Sequence, residues 1–296
     1  MQLLLDPTRQ ALFGDTNQLV GEVGAALEGL GVEPVTRKAL ADAHAQLAQP
    51  FLLVVVGEFN AGKSALINAL VGSPLVEEGV TPTTSSVGIL RYGPVLERTL
   101  RPDGIREVEA PAAILRSIAI VDTPGTNAVL REHEALTRDF LPRADLVLFV
   151  SSADRPYTES ERAFLAAIRE WGKKVVLVLN KADLLRTDAD LAEVVAFVGK
   201  QAGETLGIEP QVFALSAWGA QTARQQEDAA ALERSGLPAF ETQVAAMLDE
   251  HGRFRLKLLS PLGVARRALR EALDAWAIRL RSIVERPAVN VVTLRG

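Results

Sequence analysis

The segment Gly57-Glu58-Phe59-Asn60-Ala61-Gly62-Lys63-Ser64 fits G-x-x-x-x-G-K-[ST], a pattern that cradles nucleotide phosphates. The residue types suit that chemistry. Gly57 and Gly62 let the backbone turn tightly around an anion, where a Cβ would clash. The backbone amides of Glu58, Phe59, Asn60, Ala61 and Ala65 are candidate phosphate donors. The Lys63 ammonium should reach β- and γ-phosphate oxygens, and the Ser64 hydroxyl should ligate Mg²⁺. The pattern also sits where it must. Residues 51–56 are apolar and rich in β-branched types, as in a buried parallel strand, and 65–71 open a helix. That order aims loop amides and the positive end of a helix dipole at one anion.

Three later segments identify the nucleotide. Residues 117–121 read as a strand ending in Asp122-Thr123-Pro124-Gly125. Asp122 would hold Mg²⁺ through a water, and the Gly125 N–H would sense the γ-phosphate. Residues 174–179 form another strand, ending in Asn180-Lys181-Ala182-Asp183. A buried Asp183 carboxylate accepts two hydrogen bonds from the guanine edge; adenine offers no such donor pair and would leave it unpaired. The Lys181 stem can lie over the base, and Asn180 can tie this segment to the phosphate loop. Residues 211–215 lead to Ser216-Ala217, where a backbone N–H near Ala217 would meet guanine O6. Between the first helix and the next strand, 79–85 carry Thr81, with Thr83 and Thr84 as reserves. Thr81 would close on Mg²⁺ and the γ-phosphate; a Ser/Thr-rich surface loop is compatible with that role. The expected ligands are GTP or GDP and Mg²⁺.

The elements that position these motifs alternate strand and helix over 50–250, which predicts an α/β fold: a P-loop NTPase with a doubly wound, mostly parallel sheet. Residues 145–150 give a further central strand. Thr158-Glu159-Ser160-Glu161 reads as a capping box opening a helix to about Trp171. Residues 99–108 look like a turn between edge strands, and 191–202 and 239–248 like outer helices. Residues 1–49 are mostly helical, broken near 29–34. In 251–296, Ser260-Pro261 reads as an N-cap followed by a first-turn proline. Leu262, Ala265, Leu269, Leu273, Trp276, Leu280 and Ile283 then follow at helical steps. That stripe should pack on 15–48, so that the flanking N- and C-terminal helices form a small bundle. The stretch 286–296 has no helical stripe and reads as an unfinished part of a longer chain.

Composition sets limits. The 296 residues include no cysteine, which removes disulfides and thiol chemistry and fits a cytosolic protein. No apolar run reaches about 18 residues, so none reads as a membrane span. Net charge is −5, which argues against a nucleic-acid partner. His44, His133 and His251 are too scattered for a metal site. Arg253, Arg255, Lys257, Arg266, Arg267 and Arg270 are either a lipid-facing patch or a solvated face.

With these motifs, and with Val80-Thr81-Pro82-Thr83-Thr84 and Leu258-Leu259-Ser260-Pro261-Leu262-Gly263-Val264, the chain resembles bacterial dynamin-like proteins. It is most similar to the fuzzy-onions-like branch of cyanobacteria and chloroplasts. The resemblance implies a large GTPase that dimerises through its nucleotide face and remodels membranes, located in the cytoplasm and peripheral at a membrane's inner face in its full-length form. It also exposes two departures. The position after Gly125 is Thr126, then Asn127, where many small GTPases have a water-orienting Gln. Animal-type dynamins use a phosphate-loop Gln where this chain has Phe59. A backbone group, Thr81 or a partner subunit must then orient the water. Asn60 either helps hold a monovalent cation, K⁺, that stabilises transition-state charge, or hydrogen-bonds within the loop. The expected catalytic set is therefore Lys63, Thr81 and Asn60, and the metal set Ser64, Thr81 and Asp122. Two rival readings stand beside this one: a GTPase switch in ribosome or RNA maturation, and a GTP-binding assembly scaffold with slow turnover.

Overall fold

A computed structural model of the chain describes residues 6–78, 87–123 and 139–284. Two helices come first, α1 (Pro7–Ala26) and α2 (Pro34–Gln46), each opening on a proline whose missing N–H would have had no helical partner. Gly29 and Gly31, at φ of 80° and 78°, turn the chain between them. Then follow β1 (Phe51–Gly57), α3 (Lys63–Val71), β2 (Gly88–Tyr92), β3 (Glu97–Leu100), β4 (Arg106–Ala110), β5 (Ile118–Asp122), β6 (Leu146–Ser152), α4 (Glu159–Glu170) and β7 (Val175–Asn180). The chain continues through α5 (Asp188–Leu206), β8 (Val212–Ala214), α6 (Ala217–Gln225), α7 (Ala229–Arg234), α8 (Leu237–Met247) and α9 (Glu250–Val284).

The eight strands form one sheet in the order β3-β4-β2-β5-β1-β6-β7-β8. Strands β5, β1, β6, β7 and β8 are mutually parallel. Strand β2 runs antiparallel to β5, and the β3–β4 hairpin extends that edge. This is the α/β, P-loop architecture that the alternating motifs predict. Strand β1 explains why its sequence is apolar at every position. Leu52, Val54 and Val56 belong to one core layer and Phe51, Leu53 and Val55 to the other. Helices α4 and α5 cover the first layer, and α3, α6 and α8 the second. Because β1 pairs with β5 on one side and β6 on the other, the chain diverges at its carboxyl end, where open parallel sheets form ligand crevices.

Helices α1, α2 and α9 pack together on the first layer, so the two ends of the chain meet. Glu271 accepts hydrogen bonds from the Glu33 N–H and the Thr36 hydroxyl, both at 2.7 Å, and so caps α2 from α9. The C-terminal expectation is corrected twice. Ser260-Pro261 does not open a helix: α9 runs through it, with Pro261 inside. A mid-helix proline costs on the order of 3 kcal/mol. A buried network surrounds this one. Ser260 Oγ donates to Ala144 O (2.8 Å) and accepts from Lys173 Nζ (2.7 Å), and Lys257 pairs with Asp145 at 2.8 Å. The predicted stripe faces the bundle only at Leu262 and Ala265, and its larger members beyond them turn outward. Val264, Ala265, Ala268 and Ala272 are buried, whereas Leu273 is 70% and Ile283 66% exposed. Alanines permit the closer helix approach, which turns the larger side chains outward.

Candidate nucleotide site

Strand β1 delivers the phosphate loop at the crevice. Gly57 is there because a Cβ would overlap Val150 O on β6. Gly62, at φ 85°, leaves room for the Asn180 amide. Both glycines are therefore set by neighbouring strands as well as by the anion. Asn60 is left-handed at φ 60°, exposed, and makes no hydrogen bond to a described residue. The Lys63 side chain folds back over the loop and donates to Gly57 O (3.0 Å) and Glu58 O (2.8 Å). Burial lowers its pKa to about 8, opposed by the charges of Asp122 and Glu58. A polyphosphate arriving there would raise it again.

Asp122 ends β5 beside this lysine. Burial pushes its carboxyl up to about 6, against the pull of Lys63, Arg106 and Ser64. Its Oδ2 lies 3.5 Å from Ser64 Oγ, while the buried Oδ1 has no hydrogen-bond partner. A buried carboxylate oxygen without a donor, next to a hydroxyl, suits a hard divalent cation such as Mg²⁺. Among the described residues no three acidic or histidine side chains cluster to hold a metal by themselves, so phosphates and water must complete the shell. Thr81 and Gly125, expected at the γ-phosphate, lie outside the described residues.

The base-binding motif ends β7. Asn180 is buried and ties three segments together. Its amide donates to Ala61 O (2.9 Å) and Gly62 O (3.4 Å), and its Oδ1 accepts from the Ala217 N–H (3.0 Å). The Ala217 N–H, expected near guanine O6, is in this structure bonded to Asn180. Ser216 caps α6 through the Gly219 N–H (3.0 Å). Lys181 stands left-handed at φ 62°, its Nζ 3.6 Å from Asp154. A pocket of about 260 Å³ opens between Gly62, Ala65, Asn180, Asp183, Ser216 and Trp218. Asp183 is exposed there, not buried as its role in rejecting adenine implies, and bonds to no described residue. The bound base must itself exclude water from that carboxylate.

Sequence reasoning missed the supports of this site. The Glu58 carboxylate accepts from the Thr158 and Ser160 hydroxyls, which hold it off the anion path. Glu161, the capping-box residue, is buried, accepts from Ser151 Oγ (3.0 Å), and is raised by burial to about 7. Asn68 binds Val76 through both its amide ends and so fixes the chain leaving α3. Trp218 lines the base pocket at 67% exposure. Only the Thr158–Glu161 spacing carried a local signal.

This fold and this crevice define a P-loop GTPase domain. The family model described as "50S ribosome-binding GTPase" matches residues 52–181. A probable transmembrane GTPase, FZO-like and chloroplastic, of Arabidopsis thaliana is 40% identical over 213 residues, covering 70% of this chain and 23% of that protein. The bacterial dynamin-like protein of Nostoc punctiforme is 26% identical over 292 residues, covering 78% and 41% respectively. A solved chain from an oligomerised bacterial dynamin pair, described as a mechanism for long-range sensing and tethering of membranes, superposes with a TM-score of 0.61 at 20% identity. It matches 96% of this chain and 50% of its own length. The chain is similar to dynamin-like GTPases across its nucleotide domain. It spans less than half the length of these two curated relatives. Among the described residues no helix is long and apolar enough to cross a membrane.

Proposed function

We propose that this domain hydrolyses GTP to GDP and phosphate, that two copies pair across their nucleotide faces, and that the longer protein couples this cycle to membrane remodelling. The carrying observation is the convergence of Lys63, Ser64 and the donorless Asp122 oxygen with the Asn180–Asp183 turn at one end of the sheet. Lys63 would exchange its two carbonyl partners for phosphate oxygens. Asp183 would take the guanine edge, and Asn180 keeps base and phosphate sites in register. Mg²⁺ held at Ser64 and Asp122, with Thr81, would neutralise developing phosphate charge.

Pairing follows from what one subunit lacks. No glutamine occupies the two water-orienting positions, which hold Phe59 and Thr126. Asn60 is exposed and bonds to no described residue, which favours the cation-holding role over a bond within the loop. Helix α9 packs on the domain through Ala272 and continues to Val284, suited to carry motion away from the site. The relatives' names support the membrane reading; that part of the proposal concerns the longer protein. GTP turnover per subunit should rise with protein concentration and be faster in K⁺ than in Na⁺ or Cs⁺. Turnover independent of concentration would refute pairing, and equal rates in the three salts would remove the cation. Tight GTP binding without turnover would favour the scaffold reading.

A further inference from the structure

The basic residues that begin α9 look like one patch in sequence, but the structure divides them. Arg253 donates to Leu248 O (2.8 Å), and Lys257 is committed to Asp145 and to Pro50 O (3.0 Å). Arg267 lies 4.1 Å over the Trp171 ring and pairs with Glu170 at 2.9 Å. Arg255 and Arg266 have no hydrogen bond or ion pair with any described residue, and both line a cavity of about 650 Å³. Lys174, at the start of β7, is likewise uncommitted and lines the same cavity from the sheet side.

The walls are firmly built. Lys173 anchors α9 to the sheet through Ser260 Oγ at 2.7 Å. Gly172 and Gly263 bring the two backbones together, since a Cβ on Gly263 would stand 2.9 Å from Gly172 O. Leu256, Leu259 and Leu262 give the cavity an apolar side. The acids nearby are already occupied. Asp145 accepts from Lys257 and from the Leu52 N–H (2.8 Å), Asp249 accepts from the Gly252 N–H (2.6 Å), and Glu170 holds Arg267.

We propose that this cavity, at the amino-terminal ends of β6 and β7 and so at the opposite end of the sheet from the nucleotide crevice, binds a phosphate ester. Three cations without counter-charges repel one another across one concavity, and a dianion removes that repulsion. Two guanidinium groups match phosphate oxygens through paired N–H donors. The volume lies within the range of small-molecule sites, and the leucines suit an apolar body attached to the phosphate. A ligand spanning Lys174 and the two arginines joins β7 to α9 and holds the long helix against the nucleotide domain.

The test titrates inorganic phosphate and dihexanoyl phosphatidic acid, below its micelle concentration, into protein saturated with GDP and magnesium. Lys63→Ala protein is titrated in parallel, so that the phosphate loop is silenced whether or not GDP binds. Both probes should bind one to one. The triple variant Lys174→Ala, Arg255→Ala, Arg266→Ala alters only exposed side chains and should bind each at least about tenfold more weakly. Phosphatidic acid binding about tenfold more tightly than phosphate would assign a lipid source and a role for the leucine wall. Equal affinity for the two would overturn the ester and leave a free-phosphate site. Absence of heat with both probes, or equal affinity in the variant and the parent, overturns the proposal.

Discussion

Replacing Asn180 with alanine should uncouple the base pocket from the phosphate loop. The side chain satisfies the Ala61 carbonyl at 2.9 Å and the Ala217 N–H at 3.0 Å, in residues that are 1% and 0% exposed. Each group orphaned by truncation costs about 1–3 kcal/mol. The contact to Gly62 O, at 3.4 Å, adds little. The void adjoins an open pocket, so water relieves part of the penalty, and a loss of about 3 kcal/mol is expected. Urea denaturation of the nucleotide-free protein measures it, and GDP titration should show affinity reduced about tenfold or more. Asn180→Asp separates hydrogen bonding from volume. It keeps the shape and the acceptor for the Ala217 N–H but turns a carboxylate toward the Ala61 and Gly62 carbonyls. It should therefore destabilise at least as much as alanine. If Asn180→Ala shifts stability by less than about 0.5 kcal/mol, or if aspartate restores it, the coupling argument fails.

Other perturbations separate the remaining parts. Asp145→Ala leaves the Lys257 and Lys173 ammonium groups without their buried acid, and chemical denaturation should show a loss of about 3–5 kcal/mol. Glu161 titrates at about 7 when folded against 4.5 when free, so the native state binds its proton more tightly. Stability of the nucleotide-free protein should thus fall as pH rises from 4.5 to about 7 through this group, and Glu161→Gln should flatten that fall in unfolding curves. Asp183→Asn should reduce the preference for GDP over ADP in competition binding by about tenfold or more, because an amide cannot accept both guanine donors.

The sheet and the crevice were legible because their signals are local. The runs 51–56, 118–121 and 175–179 are apolar at every position, as strands covered on both faces must be, and each leads into residues suited to phosphate, metal or base. The Thr158–Glu161 spacing gave the start of α4 for the same reason. What escaped depends on partners distant in sequence. Ser260 looked like a cap because its neighbour is proline, yet its hydroxyl serves Ala144, 116 residues away. The packed face of α9 was only partly legible because two faces of that helix are apolar, and periodicity does not reveal that the alanines make the closer contact. Glu58 gave no hint that two hydroxyls about a hundred residues later would hold its carboxylate.

The proposed function rests on one crevice that reads a guanine base and grips its phosphates. Calorimetric titration of the magnesium-equilibrated protein with GTP, GDP and ADP tests it most directly. Saturable one-to-one binding of both guanine nucleotides, lost in Lys63→Ala and at least about a hundredfold weaker for ADP, is the predicted result. No heat with GTP or GDP, or an ADP affinity equal to that for GDP, would contradict it.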